Sequence, residues 1–340
     1  MSTARIHGGT DALGTPRWDF STNANACGPC PLVQQAVRNA DATHYPDPHY
    51  AVLRSALADF HGVAPARVLL LASASEGIQR LTAWTERRGG QRVHWPEHAY
   101  GDYAQAASAW GLQPVALPAL ADLVWVCEPS SPQGQGTHAL RALWNPVLAS
   151  TAVWVLDRAY EPLRLSGKSA WDGVALSQVW QLWTPNKALG LTGVRGAYAI
   201  APTGAESVVE ALEALGPSWP LGAHAVAMLQ AWTHPDVQVW LHASLDTLRA
   251  WKSEQVEQLQ AMGWQVTASD ANFFVAQPPE PINAERLRAE GIKLRDATSF
   301  GLPGQWRISV QPPAAVAALL NALQTTHGRG VAPSLMEEIT

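Results

Sequence analysis

Lysine is scarce in this chain: Lys168, Lys187, Lys252 and Lys293 are four among 23 basic residues. Lys187 stands in Thr184–Pro185–Asn186–Lys187, after the apolar run VWQLW and before a glycine-rich turn. A partly desolvated lysine near other cations loses proton affinity, and its neutral amine can form a Schiff base with a carbonyl. A surface lysine in a turn is the alternative. Arg195 follows eight residues on, where the chain turns into GAYAI. Beside a phosphate, a guanidinium fork makes paired hydrogen bonds. Asp157 ends another apolar run, AVWVL, and Tyr160 follows it. A carboxylate ending a buried strand is costly unless partnered, so it should meet a cationic ring nitrogen, a metal or an arginine. The fourth group is SASEG after RVLLLA, with Ala74 and Ser75 at its centre. Small residues opening a helix offer backbone N–H groups to a phosphate. Read alone, the same stretch is an ordinary serine N-cap. Together, two phosphate ligands, an acid for a ring nitrogen and a Schiff-base lysine describe a pocket for pyridoxal 5'-phosphate.

The elements that must position these groups follow from periodicity. Short apolar runs (RVLLLAS, QRVHWP, QPVALP, DLVWVCEP, AVWVLDRAY, VWQLWTPN, GAYAIAP) alternate with helical stretches such as SEGIQRLTAWTERRG and YGDYAQAASAWG. Near-continuously apolar strands alternating with helices predict an α/β fold with a mainly parallel sheet covered on both faces. Functional groups on such sheets lie just past the strand C-termini, where all four candidates fall. Beyond Pro202 the pattern turns helical, then mixed (WQVTAS, NFFVAQ, NAERLRAEG, IKLRD, QWRISV, PAAVAALLNALQTT), which predicts a smaller α+β domain. The expected division is an N-terminal segment over 1–30, joining the small domain and a dimer partner, and a large domain over 31–215. A small domain over 216–328 and a disordered tail over 329–340 complete it.

The composition is globular, 47% hydrophobic and 15% charged, with a net charge of −5. That charge leaves no basic footprint for nucleic acid. No apolar run reaches a membrane span and MSTARIHGGTDALG lacks a hydrophobic signal core, so a cytoplasmic enzyme with no membrane partner is expected. Cys27-Gly28-Pro29-Cys30 looks like a redox pair, but the polar STNANA precedes it rather than a strand, so a helix-launching turn is the reading. No second CxxC or paired-histidine motif suggests a metal. Sixteen tryptophans, among them Trp84, Trp110, Trp144, Trp180 and Trp232, are read as core packing.

At these residues the chain resembles the fold type I pyridoxal-phosphate enzymes, over about residues 5 to 325. It looks most like the branch that holds histidinol-phosphate aminotransferases and threonine-phosphate decarboxylases. DRAY matches that family's D-x-A-Y, and Thr184, Lys187 and Arg195 satisfy its [S/T]-x-x-K pattern with an arginine eight residues later. YPDPHYAVLRSALA, AYGDY, NFFV and WRISV match further segments in order. The resemblance implies Lys187, Asp157 and Tyr100 as catalytic residues, Tyr100 stacking on the cofactor. It implies Ala74, Ser75, Ser131, Tyr160, Thr184 and Arg195 as further cofactor ligands. It also implies a homodimer with shared sites, Tyr45 reaching the partner subunit's cofactor phosphate. Arg307 fits the arginine that grips the substrate. RIHGG and WDFSTNAN resemble the opening of the decarboxylases, and GIKLRDATSFGLPGQWRISV their C-terminal pattern. Arg295, His7 and Asn25 then join Arg307 as substrate-binding candidates. Two arginines and His7 suit a small phosphorylated amino acid; His7 is equally readable as a terminal residue without a role.

Some positions depart from the pattern. Ser131 stands where the family's N-P-x-N-P-x-G loop has an asparagine for the ring oxygen, and Glu128 begins that loop. Arg158 follows Asp157 where glutamate is usual, Asn186 precedes the lysine where serine is frequent, and Ala26 replaces a proline. The expected reaction is decarboxylation of L-threonine O-3-phosphate to (R)-1-amino-2-propanol phosphate, a step of cobalamin biosynthesis. The rivals are transamination of the histidinol-phosphate type and a binding protein that keeps the fold without the chemistry.

Overall fold

The computed structural model describes residues 7–145 and 152–327. The expected disordered tail and the first six residues lie outside them. The strands are β1 (Trp18–Asp19), β2 (Val68–Leu71), β3 (Arg92–His94), β4 (Gln113–Pro114), β5 (Leu123–Cys127), β6 (Val153–Asp157), β7 (Trp180–Trp183), β8 (Ala197–Ile200), β9 (Gln265–Val266), β10 (Phe273–Gln277), β11 (Ile292–Lys293), β12 (Arg295–Asp296) and β13 (Trp306–Ser309). The helices are α1 (Pro31–Arg38), α2 (Ala51–His61), α3 (Ala74–Arg87), α4 (Gly101–Ala109), α5 (His138–Leu143), α6 (Gly173–Leu176), α7 (Glu206–Glu213), α8 (Ala223–Trp232), α9 (Pro235–Ala261), α10 (Ala284–Ala289) and α11 (Pro313–His327).

A seven-stranded sheet in the order β2-β8-β7-β6-β5-β3-β4 forms the centre. β8 alone is antiparallel to its neighbours; β7-β6-β5-β3-β4 are mutually parallel. β2, β5, β6 and β7 therefore all end on one edge. Both faces are covered, as the apolar runs require. On β2, Leu69 and Leu71 pack with Ile78, Tyr103 and Trp125, whereas Val68 and Leu70 pack with Leu57, Tyr198 and Trp232. This is the period-2 alternation of a strand buried on both sides. β5 and β6 turn Val124, Val126, Trp154 and Leu156 onto Trp144 and Trp171. A four-stranded antiparallel sheet, β12-β13-β10-β9, packs Phe274 and Ile308 against Leu259 of α9 and Leu319 of α11.

Two expectations are corrected. IKLRD is not one strand: Ile292–Lys293 pairs with β1, and Arg295–Asp296 pairs with β13. The polypeptide changes partner at Leu294, so Arg295 faces Arg307 while Lys293 serves the N-terminal segment. Trp110 is not core. It lies 42% exposed, with its indole N–H donated to Gln79.

His61, at the end of α2, shows how tightly this core holds polar groups. Its Nε2 lies 2.8 Å from Tyr198 Oη, and the Trp232 indole donates to the same hydroxyl at 3.1 Å. Burial, then the Arg158 cation, pull the imidazole down to about 4 from 6.5. The folded state thus binds its proton less readily than the unfolded chain does. The contribution to stability is complete above pH 6.5 and is lost as pH falls toward 4. The denaturant midpoint of the parent protein should fall across that window, and His61→Phe should flatten this part of the decline. An equally steep profile in the variant would contradict the assignment.

Candidate active site

Asp157 closes β6, only 4% exposed. Its Oδ2 accepts from Tyr103 Oη at 2.7 Å and its Oδ1 from the Ala159 N–H at 3.0 Å. Burial pushes this carboxyl up; Tyr103, the Ala159 amide and the Lys187 cation pull against it without cancelling the rise. Burial and Asp157 drive the Tyr103 phenol well up, so it remains a protonated donor. Tyr103 is itself held flat on Trp125, centroids 5.0 Å apart. Tyr100, the N-cap residue of α4, meets Tyr103 edge-on, centroids 5.9 Å apart, and this three-residue spacing is the sequence signal that could have singled out Tyr103. Cys127, the register partner of Asp157 on β5, is likewise pushed up by burial and then by Asp157.

Lys187 faces this acid. Its Nζ lies 5.3 Å from the ring centroid of Tyr160, three residues past Asp157. Tyr160 packs edge-on against Phe273, centroids 4.7 Å apart, and its hydroxyl lies 3.4 Å from Asn23 Nδ2. The lysine loop is clamped by the N-terminal segment. The Asn25 N–H donates to Lys187 O at 2.8 Å, Asn25 Nδ2 to Ala188 O at 3.0 Å, and the Cys30 N–H to Leu189 O at 2.9 Å. Gly28 and Gly190 meet backbone to backbone; a Cβ on Gly190, at φ +68°, would lie 2.9 Å from the Gly28 Cα. CGPC is therefore a docking turn that caps α1, and burial pushes both thiols up, opposite to what a redox pair needs.

The N-terminus of α3 opens beside the end of β2. Ser73 caps the helix by accepting from the Glu76 N–H at 3.1 Å, while Glu76 Oε2 accepts from the Ala72 N–H at 3.2 Å. The N–H groups of Ala74 and Ser75 belong to the first turn, which has no intrahelical acceptors. Ser75 Oγ lies 3.3 Å from Tyr100 Oη, and burial pushes the Tyr100 phenol up. Thr184, buried at the end of β7, donates to Asn186 Oδ1 at 2.9 Å. Ser131 is buried past the end of β5. Arg195 is exposed in the turn before β8.

On the small sheet, Arg295 and Arg307 are register partners. Their guanidinium carbons lie 4.8 and 5.6 Å from the Phe300 ring centroid. Arg307 Nη2 donates to Ser21 O at 2.8 Å, and its buried Nε has no hydrogen-bond partner. The exposed His7 precedes Gly9, whose N–H donates to Ser21 Oγ and whose carbonyl accepts from Lys293 Nζ. The segment carrying His7 is thus tied to the same serine that meets Arg307. Asn25, among the substrate candidates, has its side chain engaged within the protein. Its amide is engaged by Ala188, Ser244 and the Cys27 N–H, so its side chain is spent on the lysine loop. Asn23, two residues earlier, instead reaches Tyr160 and keeps its buried Oδ1 without a hydrogen-bond partner. Tyr45 stands apart, 79% exposed and stacked on Trp219 at 4.6 Å. Arg158 turns away from Asp157, as neighbours on a strand do; it pairs with Glu161 at 3.3 Å and stacks on Trp183.

The donor set fits pyridoxal phosphate: a buried carboxylate for a ring nitrogen, a lysine amine across from it, flanking aromatic rings, and an open helix N-terminus for the phosphate. Among the described residues, no helix is long and apolar enough to cross a membrane. The family model for aminotransferase class I and II matches residues 17–323. A histidinol-phosphate aminotransferase of Hyphomonas neptunium is 25% identical over 90% of this chain and 88% of its own. Two solved structures share the fold. Histidinol-phosphate aminotransferase of Sinorhizobium meliloti, in complex with pyridoxal-5'-phosphate, has a TM-score of 0.72 at 22% identity, covering 89% of this chain and 88% of its own. L-threonine-O-3-phosphate decarboxylase of Porphyromonas gingivalis has a TM-score of 0.70 at 21% identity, covering 88% and 95%. The chain therefore belongs to the aminotransferase class I and II family of pyridoxal-phosphate enzymes.

Proposed function

We propose that this enzyme decarboxylates a small amino acid bearing both carboxylate and phosphate, L-threonine O-3-phosphate, to (R)-1-amino-2-propanol phosphate. The observation that carries the reading is the arginine pair. Burial, then the neighbouring Arg307, pull Arg295 down to about 10, and burial lowers Arg307 as well. Two cations held this close repel each other, and two anionic groups on one small ligand offset that repulsion. His7, two residues before the Gly9 that binds Ser21, is the third candidate for this substrate.

Pyridoxal phosphate, when bound, supplies the electron sink for the bond broken at the substrate's α-carbon. The chain's own groups do the rest. Asp157 would face the ring nitrogen and keep it protonated, and Tyr103 holds Asp157. Ala74, Ser75, Thr184 and Arg195 would take the phosphate; Tyr100, Ser131 and Tyr160 would hold the ring. Lys187 would hold the cofactor, and its amine would be the proton donor to the substrate's α-carbon. Phe273 and Phe300 keep water from the arginines. The exposed Tyr45–Trp219 pair supports a homodimer in which Tyr45 completes the neighbouring site.

Transamination is the second reading, favoured by the name of the Hyphomonas relative; Lys187 would then remove the α-proton. Single-turnover mass spectrometry on L-threonine O-3-phosphate without any oxo acid separates the two. The proposal expects an amine product lighter by CO2; an oxo product that retains every carbon makes the enzyme an aminotransferase.

Tyr103→Phe removes a donor from a buried carboxylate, worth about 1–3 kcal/mol. A urea denaturation should show a loss of that order, and an unchanged midpoint would mean that Asp157 does not depend on Tyr103.

A further inference from the structure

We propose that Glu128 is a positioning residue: its buried carboxylate, through Arg164, holds the Ser131 loop in register with the Asp157–Tyr160 segment and with the turn at Asp270. The proposal deepens the reading of the site above and rests on it.

Glu128 directly follows β5 and is 1% exposed. Its N–H donates to Asp157 O at 3.0 Å, so it begins the Ser131 loop at the very residue that carries the ring acid. Four donors converge on its carboxylate. Oε2 accepts from Thr137 Oγ1 and from the Thr137 N–H; Oε1 accepts from the Ala170 N–H at 2.7 Å and Arg164 Nη2 at 3.0 Å. Glu128 and Thr137 thereby close the two ends of the loop on each other, with Ser131 between them. Such a saturated, charge-paired carboxylate is strongly bound to one geometry, and losing its charge removes one of the three carboxylates that surround the Arg164 guanidinium.

Arg164 carries the restraint onward. It is three residues past Glu161, which it also binds at 2.8 Å, and Glu161 in turn pairs with Arg158, the residue after Asp157. Its other arm lies 3.7 Å from Asp270 Oδ2. Asp270 joins the same segments through its backbone: its N–H donates to Gly134 O at 2.7 Å and its carbonyl accepts from the Leu165 N–H at 2.6 Å. The seat is close. Gly134 has φ +72°, and a Cβ there would come within 2.1 Å of Ser269 Oγ. Beyond Asp270 lie Asn272, which binds Ala24 O, and Phe273, which packs on Tyr160. One run of alternating charges, Arg158–Glu161–Arg164–Glu128 with the partly exposed Asp270 at its end, therefore links the Ser131 loop, the Asp157–Tyr160 segment and the turn that leads into the strand pairing with Arg307. Ser131 is a short side chain for reaching a ring oxygen, so the position of its loop matters more than it would for a longer amide.

Cofactor affinity tests this independently of the substrate. In Glu128→Gln, folded by circular dichroism, the dissociation constant for pyridoxal phosphate, read by quenching of tryptophan fluorescence, should rise tenfold or more. Glu128→Gln/Arg164→Met should bind no more weakly than Glu128→Gln alone, because both act through one link. A folded Glu128→Gln with a constant within twofold of the parent overturns the proposal, as do penalties that multiply in the double variant. Amide exchange on the unmodified cofactor-free protein serves where the variant does not fold. Residues 130–137 should exchange as slowly as β5, and exchange as fast as an open loop sinks the idea. Failure of the parent itself to bind pyridoxal phosphate would instead refute the reading of the site.

Discussion

A carboxylate buried at the end of an apolar strand is the constraint on which this structure turns. Burial alone would drive Asp157 toward its neutral form, in which it could not pair with a cationic ring nitrogen. The protein answers with the Tyr103 hydroxyl, the Ala159 amide and the cation of Lys187 across the site. Each of those needs its own support. Tyr103 needs the Trp125 face, Ala159 needs the turn after β6, and Lys187 needs a loop fixed on both sides. A bound pyridinium would complete this set, placing positive charge where the acid is held ready for it.

The sheet order makes the arrangement possible. β2, β5, β6 and β7 end on one edge, so the helix N-terminus, the Ser131 loop, Asp157 and Lys187 come from four distant stretches of chain to one place. The small sheet brings two arginines to that region through a pairing of only two residues, Arg295 with Arg307 and Asp296 with Trp306. The N-terminal segment closes the assembly. It contributes a strand to β11, a carbonyl to Arg307 and a clamp on the lysine loop.

The sequence was legible where a single residue type and a strand end coincide. Asp157, Lys187 and the SASEG helix start follow from apolar runs that stop at a polar residue, and the mainly parallel sheet follows from the alternation of those runs with helices. It was less legible where a side chain works through another. Asn25 has the right type and the right neighbourhood for a substrate ligand, yet its amide is consumed by Ala188 and Ser244. Which of two asparagines two residues apart faces the pocket depends on the local backbone path, and no periodicity covers an irregular segment. IKLRD reads as one strand because propensity does not say when a chain changes sheets. Glu128 looked like a departure from a pattern; its partners Thr137, Arg164 and Ala170, 9, 36 and 42 residues on, become visible only in three dimensions.

The account depends most on which lysine carries the cofactor. Borohydride reduction of the protein loaded with pyridoxal phosphate, followed by proteolysis and mass spectrometry, reads this directly. The account predicts the reduced pyridoxyl mass on the peptide containing Lys187 and on no other. Label on Lys252, which is buried against the carbonyls of Ser269 and Ala271, or no covalent label at all, would contradict it.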